Sequence, residues 1–138
     1  MSDDKPTTDE QSVLDAAYAL TAAFGAHDTV TYFSMFADNA TLVFHNVERV
    51  LTSRAEYGAE WATWEGDGFR VLSCRSRHGR AQVIGDVAVY THRVTTELQD
   101  GDGVATSFER ETIVFNRSAG GPWLVIHEHL SIDSFTTS

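Results

Sequence analysis

Two histidines near the end of the chain, His127 and His129, could carry proton-transfer chemistry. They lie two residues apart in a segment typical of a β-strand, so both side chains are expected on the same face. Histidine titrates near neutral pH and can act as an acid or a base. A metal site would need a further ligand, and no cysteine or carboxylate is spaced nearby to supply it. We therefore predict a catalytic role and no bound metal; the alternative is a pair of partly buried histidines at the sheet or dimer surface.

Arg93 is the strongest candidate for holding an anion. It lies in the middle of a predicted strand between Val89 and Thr95. If that face of the strand looks into the protein, Arg93 is a buried cation and must pair with an acid or bind a ligand anion. Glu109 or Glu111, on the next predicted strand, could be the acid. Both an internal ion pair and a ligand site built from Arg93 and Glu111 remain open.

Aromatic side chains could surround these polar groups. Tyr57 and Trp61 lie four residues apart on one side of a predicted helix, and Phe33 and Phe44 precede them. Such a set would suit a flat or hydrophobic ligand with an anionic group, with an ordinary hydrophobic core as the alternative. His45 is expected to point away from this set, because neighbouring residues of a strand face opposite sides.

Composition limits the possible partners. The chain has 138 residues, of which 42% are hydrophobic, and a formal net charge of −10. These values predict one folded domain and argue against binding to a nucleic-acid backbone. One basic segment is an exception, which we expect to be a solvated hairpin end rather than an anion site. Its members are Arg70, Arg75, Arg77, His78 and Arg80.

The sequence also lacks the signals of membrane-spanning, secreted, disulfide-bonded and nucleotide-binding proteins. No segment is apolar enough over its length to span a membrane, and the N-terminus has no apolar signal core. Cys74 is the only cysteine, so an internal disulfide is excluded and a cytoplasmic location is the default expectation. There is no nucleophile motif, phosphate-binding glycine loop or dinucleotide fingerprint, and we predict no cofactor.

Capping residues indicate three helices in the first half of the chain. Thr7 and Glu10 have the spacing of a capping box, which predicts a helix over residues 8–25 after a disordered tail at residues 1–7. Two further helix starts are marked by Asp28 and Ser53.

The second half is predicted to be a sheet. A short strand at 41–44 is followed, after the third helix, by strand-like segments at 69–77, 82–98, 104–116 and 123–132. Short turns between them, the first at His78 and Gly79, predict an antiparallel meander. The fold class is therefore α+β. Neither face of the last strand has the pattern of a solvated face. We therefore predict that a second copy of the chain covers the sheet in a homodimer. Sedimentation equilibrium would detect this dimer.

Two segments give the chain a likeness to a known family. They are the junction at residues 35–41, MFADNAT, and the closing strand at 121–131, GPWLVIHEHLS. On these motifs the chain resembles the NTF2-like (SnoaL-like, cystatin-like) superfamily. The second half looks closest to the association domain of calcium/calmodulin-dependent protein kinase II. The resemblance implies a single domain over residues 8–138, a cone of three N-terminal helices packed on a strongly curved antiparallel sheet.

The resemblance also implies what the pocket lacks. Ketosteroid isomerases of this superfamily carry a catalytic aspartate where this chain has Phe44, and a helix-one tyrosine where it has Leu20. Tyr18 is close to that position, and we expect it to line the pocket and contact the ligand. Ketosteroid isomerisation is therefore not predicted. Of the two arginines that the association domain keeps in its pocket, Arg93 matches one, and Ile113 replaces the other.

Two functions follow as alternatives. The first is a SnoaL-like isomerase, cyclase or dehydratase acting on a hydrophobic carbonyl or carboxylate metabolite. Arg93 would hold its carboxylate or enolate, and His129 or His127 would move the proton. The second is a non-catalytic dimeric module for ligand binding or association. Fold alone does not choose between them.

Overall fold

Three helices pack on a five-stranded sheet in the computed structural model, which describes residues 5–135. The elements, in chain order, are α1 (Thr8–Gly25), α2 (Thr29–Ser34), β1 (Phe36–Phe44), α3 (Arg54–Gly66), β2 (Arg70–Ile84), β3 (Val87–Asp100), β4 (Gly103–Asn116) and β5 (Leu124–Ile132). The predicted α+β class is confirmed. Residues 1–4 of the predicted tail lie outside the described residues.

The helices begin where their capping residues predict. Both halves of the capping box between Thr7 and Glu10 are formed at the start of α1. The side chain of Asp28 accepts a hydrogen bond from the backbone at the start of α2, and that of Ser53 does the same for α3. None of the helices in residues 5–135 is long and apolar enough to cross a membrane.

The sheet has the strand order β1-β5-β4-β3-β2. Strands β2 to β5 form the predicted antiparallel meander. The first strand differs from the prediction because β1 pairs in parallel with β5, so the sheet is mixed. After β1 the chain passes through α3 to the far edge of the sheet, so β1 and β2 cannot form a hairpin.

The predicted turn at His78 and Gly79 is wrong. The strand β2 continues through both residues with an irregular register, and the hairpin turn follows at Gly85. His78 has a φ of 59°, which marks a bulge within the strand. A Cβ on Gly79 would collide with the hydroxyl oxygen of Tyr90, so the close approach of that side chain explains the glycine.

The core lies between the helices and the face of the sheet that they cover, here called the inner face. Helix α1 packs on β2 and α3 packs on β1. Tyr32, Phe36, Tyr57 and Trp61 are buried together at this interface, with ring centroids 5.0–6.1 Å apart. Two of these rings, Tyr32 and Tyr57, also line a cavity between the helices and the inner face.

Candidate functional site

A cavity of about 190 Å³ lies between the three helices and the inner face of β2 to β5. Most of its wall is apolar or aromatic, with Phe24, Phe44, Tyr57 and Leu130 among the contributors. Among residues 5–135, no lysine or arginine lines it. Its ionisable side chains are instead three glutamates and two histidines, together with tyrosines and a cysteine. The glutamates and histidines are Glu109, Glu111, Glu128, His45 and His92.

Glu128 is a buried acid in the cavity wall. It lies on β5 and its residue is 2% exposed. Burial, and then the negative charge of Glu111, which also hydrogen-bonds to it, raise the pKa of Glu128 well above its ordinary value. The carboxyl group therefore keeps its proton over a wider pH range than a free glutamic acid. We refer to Glu111 and Glu128 as the deep carboxyl pair.

His92 holds Glu111 in place. It lies directly opposite Glu111 on β3, and its Nε2 is 2.6 Å from Oε1 of Glu111. Its other ring nitrogen, Nδ1, is 2.6 Å from Oγ of Ser76 on β2, which also contacts the hydroxyl of Tyr90. Because both ring nitrogens already have partners, His92 is suited to orient Glu111 and to stabilise its charge rather than to contact a ligand.

Two tyrosines bring hydroxyl groups to the same cavity. The hydroxyl oxygens of Tyr32 on α2 and Tyr57 on α3 lie 2.9 Å apart. Burial raises the pKa of both phenols well above the ordinary value, and the charge of Glu128 raises them further. Both tyrosines therefore stay neutral and able to donate hydrogen bonds.

His45 and Glu109 form a second pair nearer to solvent, here called the mouth pair. Nε2 of His45 is 2.6 Å from Oε2 of Glu109, and their side chains are 29% and 13% exposed. The expectation that His45 points away from the cavity is wrong. Strand β1 ends at Phe44, so the alternation of strand side chains no longer applies at the next residue and both line the cavity.

The single cysteine also lines the cavity but is poorly suited to act as a nucleophile. Burial raises the pKa of the Cys74 thiol to about 12. The hydroxyl of Thr96 lies 3.7 Å from its sulfur. At neutral pH the side chain is therefore a thiol rather than the reactive thiolate.

The structure divides the predicted aromatic set. Phe44 and Tyr57 line the cavity, as does Glu111. Phe33 and Trp61 do not line it and pack behind Tyr57, with Trp61 only 2% exposed. Tyr18 is 77% exposed on α1 and does not line the cavity, so its expected place there is corrected.

Arg93, His127 and His129 lie on the opposite face of the sheet, here called the outer face. Their expected position in the cavity is corrected by strand alternation. Because His92 and Glu128 face inward, the residues next to each of them face outward. Tyr90 is buried in the core, and Arg93 follows it by three positions on β3, so strand alternation places the two side chains on opposite faces. The orientation of Arg93 could therefore have been predicted from the sequence by taking Tyr90 as a core residue.

The outer-face residues also have partners other than those expected. The Nε atom of Arg93 lies 3.4 Å from Oδ2 of Asp133, whereas Glu109 and Glu111 pair with histidines. Nδ1 of His127 is 2.7 Å from Oγ1 of Thr41. Partial burial, and then the nearby His129, lower the pKa of His127.

The described residues, 5–135, contain no group of three or more histidine, cysteine, aspartate or glutamate side chains arranged to hold a metal ion. Glu109, Glu111 and Glu128 share one cavity, but the histidines beside them are engaged by hydrogen bonds. The arrangement instead places hydrogen-bond donors and acceptors around an apolar space, which suits the transfer of protons to and from a small molecule.

Comparison with known proteins agrees with this architecture. A family model described as a SnoaL-like domain matches residues 13–134. A solved NTF2-like protein from Cytophaga hutchinsonii is similar at 14% identity and a TM-score of 0.77, with 93% of this chain and 100% of that chain covered. A ketosteroid isomerase-like protein from Erwinia carotovora atroseptica has 17% identity and a TM-score of 0.77, covering 94% and 99%.

A third similar structure is the CaMKII hub of S. rosetta. It has 21% identity and a TM-score of 0.74, and the match covers 94% of this chain and 100% of that one. At these identities the likeness shows the fold alone. Comparison with curated proteins gives no match.

Proposed function

The chain belongs to the SnoaL-like domain family, as its sequence motifs predict, and from its cavity we propose that it binds a small neutral carbonyl compound and catalyses proton transfer on it. Isomerisation, cyclisation and dehydration are the reaction types that such chemistry serves. The observation that carries the proposal is the deep carboxyl pair. Glu128 presents a buried, protonated acid to an otherwise largely apolar space.

The charge of the cavity supports a neutral ligand. In the part of the chain that the structure describes, three carboxyl groups contribute to the wall and no lysine or arginine does. A carboxylate ligand would be buried against these acids without a lysine or arginine to pair with, and both histidines already pair with glutamates, so its burial is costly in a poorly solvated site. The carboxylate alternative depended on Arg93, which lies on the outer face, so the proposal keeps only the carbonyl compound.

The size of the cavity supports a compound of one ring with a small substituent. An apolar cavity of about 150 Å³ is large enough to bind benzene. The cavity here is about 190 Å³ and is lined by Phe24, Phe44 and Leu130. A ligand of about eight non-hydrogen atoms would fill it, by proportion with that example.

Glu128 is the proposed acid. A carboxylic acid that stays neutral in an apolar site can donate a hydrogen bond to a carbonyl oxygen. That bond strengthens as negative charge develops on the oxygen in the transition state. The phenol of Tyr57 lines the same cavity and offers a second donor.

The mouth pair is the proposed base. Glu109 and Glu111 lie two residues apart on β4, with both side chains on the inner face. Their backbone positions are therefore about 7 Å apart along the strand. A small ketone between the two pairs would have its oxygen near Glu128 and an acidic C–H bond near His45 or Glu109. His45 pairs with Glu109 at 2.6 Å, a geometry that lets the carboxylate stabilise a proton taken up by the imidazole.

Acetophenone and benzoate test the ligand class, because they have nearly the same size and shape but differ in charge. Acetophenone is expected to bind at least about tenfold more tightly than benzoate at pH 7, since only the anion opposes the buried carboxyl groups. Isothermal titration calorimetry with each compound measures the two affinities. Equal affinity, or tighter binding of benzoate, would contradict a site for neutral carbonyl compounds.

A non-catalytic dimeric module is the second candidate. The similar CaMKII hub supports it through the shared fold. Half-buried apolar side chains on one side of the outer face, Val43, Val89 and Val114, offer a surface that a second copy could cover. The homodimer therefore stays a prediction. A dimer alone does not exclude catalysis, so the two candidates are separated by whether the bound ketone exchanges its protons.

A further inference from the structure

Arginines form a row across the outer face of the sheet. Arg77 on β2 lies directly opposite Arg93 on β3, and Arg93 lies directly opposite Arg110 on β4. Directly opposed residues share a face, so the three side chains leave the sheet on the same side. Their backbones span about 10 Å, because neighbouring strands lie about 4.8 Å apart. Arg75 and Arg80 flank the row on β2.

The charge of this row is incompletely balanced. Within residues 5–135, the acid in ion-pair contact with the row is Asp133, at 3.4 Å from Nε of Arg93. Neither Arg77 nor Arg110 has a carboxylate within ion-pair distance in the part of the chain that the structure describes; Arg110 instead lies over the ring of Phe135, at 5.8 Å. Like charges placed directly opposite each other destabilise a sheet, so an anion over this row would relieve an existing repulsion.

A shallow depression lies next to the row. Besides Arg93 and Arg110, its lining includes hydroxyl and imidazole side chains and one carboxylate: Thr91, Thr112, Ser131, His78, His92, His129 and Glu111. All of these side chains except that of Glu111 can donate hydrogen bonds, and Glu111 is already paired with His92 at 2.6 Å. Arginine guanidinium groups match the oxygens of phosphate in pairs, and hydroxyl groups serve the remaining oxygens.

We propose that this depression on the outer face binds a small ligand through a phosphate-type group. The overall charge of −10 disfavours a long polyanion, because most of the remaining surface would repel it. A small phosphorylated or diphosphate-bearing compound needs only the local field of the arginines. The depression opens on the outer face and the cavity on the inner face of the same strands, and His92 and Glu111 contribute to both linings.

Inorganic pyrophosphate is the probe that tests this proposal. Isothermal titration calorimetry at constant ionic strength is expected to show saturable binding to the wild-type protein. The Arg110→Ala variant is expected to weaken that binding about 10- to 100-fold, because it removes a guanidinium group that can donate two charged hydrogen bonds to the phosphate oxygens. Arg77→Ala, a second variant in the row, should also weaken binding and guards against a folding defect specific to position 110.

Arg70→Ala is the matched control. Arg70 is an exposed arginine on β2, the strand that carries Arg77, and it lies opposite Gln99, outside the row. Its removal changes the net charge by the same amount and is expected to leave the affinity within about threefold, as screening of a distant surface charge predicts. Absence of saturable pyrophosphate binding would overturn the proposal. Equal weakening by Arg70→Ala and Arg110→Ala would overturn it too, since it would indicate general charge attraction.

Discussion

The Glu128→Gln variant is expected to lose a pH dependence of stability that the wild-type protein has. Burial raises the folded-state pKa of Glu128 above its unfolded value, which is near 4.5. As the pH rises above that value, the unfolded chain releases the proton while the folded protein still holds it. The free energy of unfolding therefore falls with rising pH until the folded-state pKa is passed. Glutamine stays neutral throughout and removes this contribution.

Urea unfolding of both proteins between pH 5 and pH 8 measures the effect. The free energy of unfolding of Glu128→Gln minus that of the wild type is expected to increase by about 1–3 kcal/mol from pH 5 to pH 8. This is about the free-energy cost of leaving a buried polar group unpaired. Glu97→Gln is the control, because Glu97 is exposed on β3 and should follow the wild-type curve. Curves that stay parallel for wild type and Glu128→Gln would show that Glu128 is not a buried acid.

The Trp61→Ala variant is expected to lose about 3–5 kcal/mol of stability, the usual cost of removing a large buried aromatic side chain. The ring of Trp61 packs against Tyr32 at 5.4 Å and Phe33 at 5.4 Å between centroids, and Nε1 donates a hydrogen bond to Thr29. Truncation would leave a cavity in the packing between the helices. This loss assigns Trp61 a structural role rather than the ligand contact expected from its spacing.

Trp64→Ala is the matched control for that experiment. Trp64 lies one turn further along α3, is only partly buried and lines the cavity. Denaturant unfolding should give it less than half the loss found for Trp61→Ala, whereas its effect on acetophenone affinity should be the larger of the two. Similar losses of stability in both variants would contradict the distinction between core and cavity wall.

The helices of this fold could be predicted from local sequence because their start signals are local. Thr7 with Glu10, and Ser53 with Glu56, each satisfy backbone groups within one helical turn. The register of β2 could not be predicted in the same way. The bulge at His78 depends on contact between Gly79 and Tyr90 on the neighbouring strand, which no local pattern reveals.

The candidate site could be predicted in part. Phe44, Tyr57 and Glu111 were expected near a pocket and do line the cavity. Glu128 was missed because it lies between two histidines that offered more familiar acid–base chemistry. In addition, glutamate is usually exposed, and the sequence around Glu128 does not show that it is buried. Both faces of β5 mix apolar and polar residues, so alternation alone did not say which face points inward.

The ends of the strands limited the prediction further. Alternation holds only while the backbone remains extended, and β1 ends at Phe44, one residue before His45. The sequence pattern therefore placed His45 outside a cavity that it lines. The partner of Arg93 was also not accessible from local sequence, because Asp133 reaches it from the end of β5, forty residues later in the chain.

The rate at which the methyl protons of acetophenone exchange in D₂O is the most direct test of proton transfer in the cavity. With acetophenone bound, wild-type protein is expected to accelerate exchange, and His45→Gln to lower the accelerated rate about 100-fold, as loss of a general base does. His127→Gln, which alters the outer face alone, should retain the wild-type rate. Exchange at the buffer rate with the ketone bound, or loss of acceleration in His127→Gln but not in His45→Gln, would contradict an acid–base site in this cavity.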